Sequence, residues 1–329
     1  MQFRKVSSAS LKTFDNPGLD RHKQAVQLKR LLFWAIAALI TTAWPAHAKT
    51  NSGDPREFSF AVAGDMRSFV GRAPAGKKYF DGACEALKAI GPGALMLSPG
   101  DCDPLPPVRG ALDRCIGSNY LWYPVVGNHD IEKPENMVWV RSWAGAGIPH
   151  LARRGPPGAE TTTYSFDVGN SHFVALNNYF DGQSETNRAD DLPAVTLDWL
   201  EQDLAATRQP FIWVYGHKPI KSVPDMDSGR VRHEKDSIST NTVHLARFMN
   251  ILKGHRVRAY ICGHTHNASV TKVDGVWQAD SGHARGGGDP GAPSTFLKIR
   301  AIGERAWVDI HRADTNGLIY ELRKSVELH

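Results

Sequence analysis

Five stretches of this chain obey one rule. In residues 58–65, 94–101, 123–129, 211–217 and 257–266, a short β-rich apolar run stops at a glycine turn. Just beyond each turn stands a polar side chain able to hold a cation: Asp65, Asp101, Asn128, His217, and the pair His264 and His266. Glycine lets the backbone turn sharply and come close to a bound group. Ligands of open α/β sheets gather beyond the carboxyl ends of the strands. A fold that aligns these strand ends therefore collects six donors from far-apart segments.

Helical spacing fills several of the gaps. Residues 81–90 place Ala83, Leu87 and Ile90 on one face and stop at Gly91-Pro92-Gly93, and residues 108–116 form a shorter helix. Residues 193–207 and 242–253 carry Leu197, Leu200 and Leu204, and Leu245, Phe248 and Leu252, at amphipathic spacing. Strands separated by helices make a mostly parallel sheet at first. The hairpin signal Gly169-Asn170 lies between 162–168 and 172–176. Strands at 268–273, 276–279, 295–302, 306–311 and 318–322 complete the chain. Residues 132–158, rich in Gly, Pro and Trp, read as a long surface connection. Residues 222–240 form a polar loop long enough to be functional. With no repeat and no linker, residues 49–329 read as one domain.

Residues 1–48 read as an export signal with a long basic leader. Lys29 and Arg30 precede an apolar stretch ending near Trp44, and Ala46-His47-Ala48 fits a small-x-small cleavage site. The stretch falls short of the roughly 20 residues that span a bilayer. An exported, periplasmic or extracellular chain with no stable membrane span after cleavage is expected. The leader is longer than usual, so either the true start lies downstream or the signal is atypical. Of 39 basic and 34 acidic residues, seven and two lie before residue 49, leaving 32 of each. No basic footprint for nucleic acid remains. Export permits disulfides. Among Cys84, Cys102 and Cys115 one bridge is expected, with Cys262 a small buried thiol.

Oxygen and imidazole donors without thiolate suit Zn, Mn or Fe. Six exceed the needs of one tetrahedral ion and fit two ions about 3.5–4 Å apart that share a carboxylate. Gly64-Asp65, Gly100-Asp101, Gly127-Asn128-His129-Asp130, Gly216-His217 and Gly263-His264-Thr265-His266 also stand in the order found in the calcineurin-like metallophosphoesterases, which this chain resembles from about residue 58 to 283. The resemblance implies an α/β fold, a four-layer αββα sandwich with mixed sheets. It implies an enzyme that hydrolyses small phosphate mono- or diesters with metal-activated hydroxide. Asp65 and His266 would hold a first divalent or trivalent ion, Asp101 would bridge, and Asn128, His217 and His264 would hold the second. His129 would meet the phosphoryl oxygens or protonate the leaving group, and Asp130 would be a structural partner.

One departure stands out. Many family members have Asp-x-His in the first motif, whereas Met66 and Arg67 follow Asp65 here. Purple acid phosphatases supply a Tyr three residues beyond the bridging Asp, where this chain has Pro104. The first ion is then weaker, or takes Asp103, or gives way to Arg67 as a phosphate clamp. The clamp is favoured because guanidinium pairs bidentately with phosphate oxygens. A metal- or phosphate-binding protein with impaired catalysis is the alternative. His283, Arg153, Arg154 and His233 read as surface-loop residues, and Trp139, Trp143 and Phe180 as core or cleft wall.

Overall fold

The computed structural model describes residues 57–67, 80–188, 190–238, 240–285, 291–314 and 319–329. The export signal read at 1–48 and the glycine run 286–288 lie outside the described residues. The first sheet contains β1 (Glu57–Val62), β2 (Leu95–Ser98), β3 (Leu121–Pro124), β11 (Thr295–Ile302), β12 (Arg305–Ala313) and β13 (Tyr320–Leu328). Its order is β13-β12-β11-β1-β2-β3, with β1, β2 and β3 parallel and the C-terminal strands antiparallel. The second contains β4 (Leu151–Arg154), β5 (Tyr164–Val168), β6 (Ser171–Ala175), β7 (Phe211–Tyr215), β8 (Ala259–Cys262), β9 (Ala268–Val273) and β10 (Val276–Ser281). Its order is β4-β5-β6-β7-β8-β10-β9, with a parallel centre from β6 to β10 and antiparallel edges.

The layering follows from which residues are buried. Phe58, Phe60, Leu97, Tyr123, Phe173, Trp213, Ile261 and Leu297 meet between the two sheets. Helices α1 (Asp81–Ile90), α2 (Leu105–Cys115) and α3 (Pro134–Gly145) pack Cys84, Leu87, Leu105, Leu112 and Val140 with Ala61 and Met96 of the first sheet. Helices α4 (Ala194–Ala206) and α5 (Thr242–Gly254) pack Leu197, Leu200 and Phe248 with Val174, Val214 and Tyr260 of the second. Strands buried on both faces need not alternate, so β2, β7 and β8 read as near-continuous apolar runs, whereas β1 interleaves Glu57 and Ser59 with its phenylalanines. This is the mixed-sheet αββα sandwich. Among the described residues no helix is long and apolar enough to cross a membrane.

The expected surface connection at 132–158 is instead structured, holding α3 and β4. Pro134 opens α3, where its missing N–H costs nothing, and Met137, Val140 and Ala144 turn inward. The abundance of Gly and Trp hid that periodicity. Trp139 packs on Trp122 with ring centres 5.7 Å apart, and Trp143 packs on Tyr123 at 6.2 Å. The four cysteines are free thiols in place of the expected bridge. Cys84 Sγ, on α1, lies 3.9 Å from Ala111 O on α2, while Cys102 Sγ donates to Gly100 O at 3.6 Å.

Among its described residues the polar loop 222–240 has no regular structure but is braced. Buried Arg312 on β12 grips Asp225 with two bonds, 2.7 and 3.1 Å. Burial alone would raise the Asp225 carboxyl, but Arg312 holds it down at about 2.

A second buried ion pair joins β6 to α4. His172 contacts Asp167 at 2.6 Å and Asp203 at 3.0 Å. Burial alone would lower the imidazole, yet these bonds push it from its ordinary 6.5 up to about 9. A raised folded pKa gives stability fully present below the unfolded value and lost as pH rises through the folded one. The thermal midpoint should therefore fall between pH 6.5 and about 9, and fall less in His172→Gln. Equal slopes in wild type and variant would remove His172 from the pH dependence.

Candidate metal centre

The strand ends of both sheets meet at one edge of the sandwich. Asp65 follows β1 and Asp101 follows β2, with Asp65 N bonded to Gly100 O at 3.1 Å. Asn128 and His129 follow β3, His217 follows β7, and His264 and His266 follow β8. Asp65, Asp101, His264 and His266 have φ of 52°, 52°, 70° and 58°. Left-handed backbone costs a non-glycine residue about 1–2 kcal/mol. Such strain collects at functional sites, where the surrounding structure holds it in place. Here it turns each side chain back over the strand end. Two glycines are required by close approach. A Cβ on Gly127 would lie 2.2 Å from Asp101 Oδ1, and one on Gly263 would lie 2.4 Å from Asp65 Oδ2.

All six donors converge. Oxygens of Asp65 and Asp101 and a nitrogen of His217 lie within 4.8 Å of one another. His217 Nε2 is 3.5 Å from Asp101 Oδ1 and 3.0 Å from Asn128 Oδ1. His264 Nδ1 is 3.0 Å from that same Asn128 oxygen and 3.1 Å from His217 Nε2. His266 Nε2 is 3.2 Å from Asp65 Oδ1.

The tautomers decide what this cluster can hold. His217 Nδ1 donates to Pro99 O at 2.7 Å, so in the neutral ring its Nε2 carries a lone pair. His264 Nε2 donates to Asp236 Oδ2 at 2.8 Å, so its Nδ1 carries one as well. With Asn128 Oδ1, three acceptor atoms face one another at hydrogen-bond distance with no hydrogen between them. Acceptors so placed repel unless a cation sits among them, and imidazole ligands are oriented by just such outer bonds. These residues and Asp101 fit a metal ion.

The Asp65 half differs. Asp65 is fully buried and its Oδ1 faces His266 Nε2 at 3.2 Å. Burial alone would raise Asp65, but the charge and hydrogen bond of His266 hold it well below the carboxylate range. His266 Nδ1, however, faces the guanidinium of Arg232 and, at 3.3 Å, that of Arg285. Guanidinium only donates. Nδ1 therefore accepts and Nε2 bears the hydrogen, the reverse of the tautomer in which Nε2 coordinates a metal. An ion beside Asp65 must displace these contacts. Asp103 and Arg67, two candidates for the missing ligand's place, engage each other at 3.0 Å. Pro104 caps α2.

His129 stands at the rim, a quarter exposed, with Nε2 3.8 Å from Asp101 Oδ2. Its Nδ1 meets Glu132 at 2.8 Å, and Arg188 pairs with Glu132 at 3.2 Å. Asp130 is structural in this arrangement. It accepts from the backbone N–H of Gly127 at 2.8 Å and Asp101 at 2.9 Å, and burial pushes its carboxyl up.

Sequence reading missed Asp236, Glu132, Arg188, Arg232 and Arg285, which belong to no spaced motif. His283 is not the surface residue expected, while His233 keeps its place in the loop with its side chain 32% exposed. His283 is buried with its ring 5.5 Å from that of His266, and the His233 ring lies 4.3 Å from that of His264.

Two mixed sheets between helical layers, with carboxylates and imidazoles gathered at their strand ends, define a metallophosphatase-type fold. A calcineurin-like phosphoesterase family model matches residues 58–268, and the chain belongs to that family. Tartrate-resistant acid phosphatase type 5 from Rattus norvegicus is 26% identical over 167 residues, 47% of this chain and 45% of the relative. The same protein from Oryctolagus cuniculus is 26% identical over 166 residues, 47% and 46%. The match thus spans less than half the length of these curated relatives. Purple acid phosphatase PPD1 from yellow lupin (Lupinus luteus) superposes with a TM-score of 0.54 at 13% identity, covering 84% of this chain and 54% of that one. PhoD superposes at 0.55 and 13% identity, covering 83% and 69%. Both are likenesses of fold.

Titration of Zn or Mn into the metal-free protein should resolve a tight and a weaker event. Asn128→Ala should abolish the tight one, and His266→Ala only the weaker. Loss of the tight event in His266→Ala would reverse the assignment of the two halves.

Proposed function

We propose that this chain is an exported phosphoesterase that hydrolyses small phosphate mono- or diesters at a centre for two divalent or trivalent ions, Zn, Mn or Fe. Its support is the meeting of His217 Nε2, His264 Nδ1 and Asn128 Oδ1 at 3.0–3.1 Å beside Asp101. In this reading Asp65 and His266 would hold the first ion, Asn128, His217 and His264 would hold the second, and Asp101 would serve both. When bound, such a pair lowers the pKa of water between the ions and neutralises charge on the phosphoryl oxygens.

The chain's own groups supply the rest. His129 lies beside the bridging carboxylate and is oriented through Nδ1 by Glu132. It is the proton donor to the leaving oxygen, general-acid work performed most often by imidazole. Arg67, held through Nε by Asp103, is the guanidinium that grips the phosphoryl group. The contacts of Arg232 and Arg285 with His266 favour one second reading, a metal- or phosphate-binding protein whose first ion site is displaced.

Protein loaded with Mn or Zn should hydrolyse p-nitrophenyl phosphate or its bis ester. His129→Ala should lose about 100-fold or more in kcat with its metal content unchanged. No hydrolysis by the metal-loaded protein would establish the binding protein instead. For export, residues 1–48 act as a signal and residues 49–329 as the working domain. The exported chain should begin at Lys49 by mass spectrometry, and a chain retaining its first 48 residues would refute the cleavage.

A further inference from the structure

The polar stretch 222–240 contributes no residue to the spaced motifs, yet one of its carboxylates reaches the centre. Asp236 Oδ2 lies 2.8 Å from His264 Nε2. Its other oxygen meets Lys218 Nζ at 2.5 Å. Lys218 follows His217 directly and also pairs with Asp190. Asp236 thus ties together the two segments that carry His217 and His264, which are 47 residues apart in sequence. The loop is closed around this point by Ile238 N to Pro219 O at 3.1 Å and Asp236 N to His233 O at 2.9 Å.

We infer that Asp236 is a positioning residue: by accepting from Nε2 of His264, it keeps the Nδ1 lone pair aimed at Asn128 and His217 and so sets the affinity of that ion site. The inference rests on the proposed reading of the centre. His217 needs no such side chain, because Pro99 O, a backbone acceptor, fixes its tautomer. His264 sits in a left-handed turn with φ of 70°, and among the described residues its Nε2 partner is the Asp236 carboxylate rather than a backbone carbonyl. A carboxylate is the fitting partner because it only accepts. It compels Nε2 to carry the hydrogen. A carboxamide at the same place can rotate and donate to Nε2, which lets the hydrogen move to Nδ1 and point at the ion site. Removing such a ligand-orienting partner typically costs about 10- to 100-fold in metal affinity.

A plainer role would be to neutralise Lys218, and a set of variants separates the two. Zn titrated into the metal-free full chain should bind the tight site about 10- to 100-fold more weakly in Asp236→Asn. Asp236→Glu, which still only accepts, should recover part of the loss. The double variant Asp236→Asn with Lys218→Met removes the lysine charge as well and should stay weak. Nitrogen-15 NMR of the metal-free protein should find His264 as the Nε2–H tautomer in wild type and shifted toward Nδ1–H in Asp236→Asn. Equal Zn affinity in wild type and Asp236→Asn overturns the inference, as does an unchanged tautomer. Recovery of wild-type affinity in the double variant overturns it too and leaves Asp236 a partner of Lys218. Wild-type protein that takes up no Zn refutes the reading of the centre itself, and this inference falls with it.

Discussion

Three lone pairs held about 3 Å apart, with fully buried Asp65 and Asp101 beside them, form an arrangement that opposes folding. A buried polar group left unpaired costs about 1–3 kcal/mol, and charged groups cost more. Left-handed backbone at four of the six donor positions adds to that cost. Such a cluster persists only where surrounding packing over-determines it. Here the packing is the double-sheet core, in which Phe60 contacts Phe173 and Trp213 edge-on at 5.0 and 5.3 Å. The strand ends are fixed from below, so the donors cannot relax apart.

The polar scaffold is as specific as the apolar one. Asp130 gathers the amides of Gly127 and Asp101, and Asp65 Oδ2 accepts from His264 N at 2.9 Å. Asp101 Oδ1 likewise accepts from His129 N at 2.9 Å. Asp65 and Asp101 therefore each spend one oxygen on another motif's backbone and turn their remaining capacity inward. Donors from five segments are in this way cross-braced rather than merely adjacent. The Asp65 half is the exception: guanidinium groups stand where the imidazole of His266 would need a partner that accepts. That asymmetry follows the departure of Arg67 and Pro104 from the family pattern.

What the sequence made legible has a physical pattern. Strands buried on both faces are near-continuous apolar runs, and glycine turns followed by Asp, Asn or His mark their ends, so five strand ends and six donors could be read directly. Helices α1, α4 and α5 were legible because one face is apolar at regular spacing. Helix α3 was not, since Gly and Trp broke its pattern and Pro134 reads equally as a loop residue. Asp236, Glu132 and Arg232 were hidden for another reason. Each acts on a residue reached through tertiary contact, with no fixed spacing to the motif it serves. The burial of His283 was unreadable because it depends on Ala284 N meeting Gly64 O at 2.9 Å, a contact between the two ends of the domain.

The central claim is that the six donors form a cation site. Anomalous diffraction at the absorption edge of bound Mn or Zn tests it most directly, because it locates each ion without reference to activity. The account predicts a strong peak among Asp101, Asn128, His217 and His264 and a second, less occupied peak beside Asp65 and His266. Well-ordered crystals grown with excess metal and lacking any peak at these residues would contradict it.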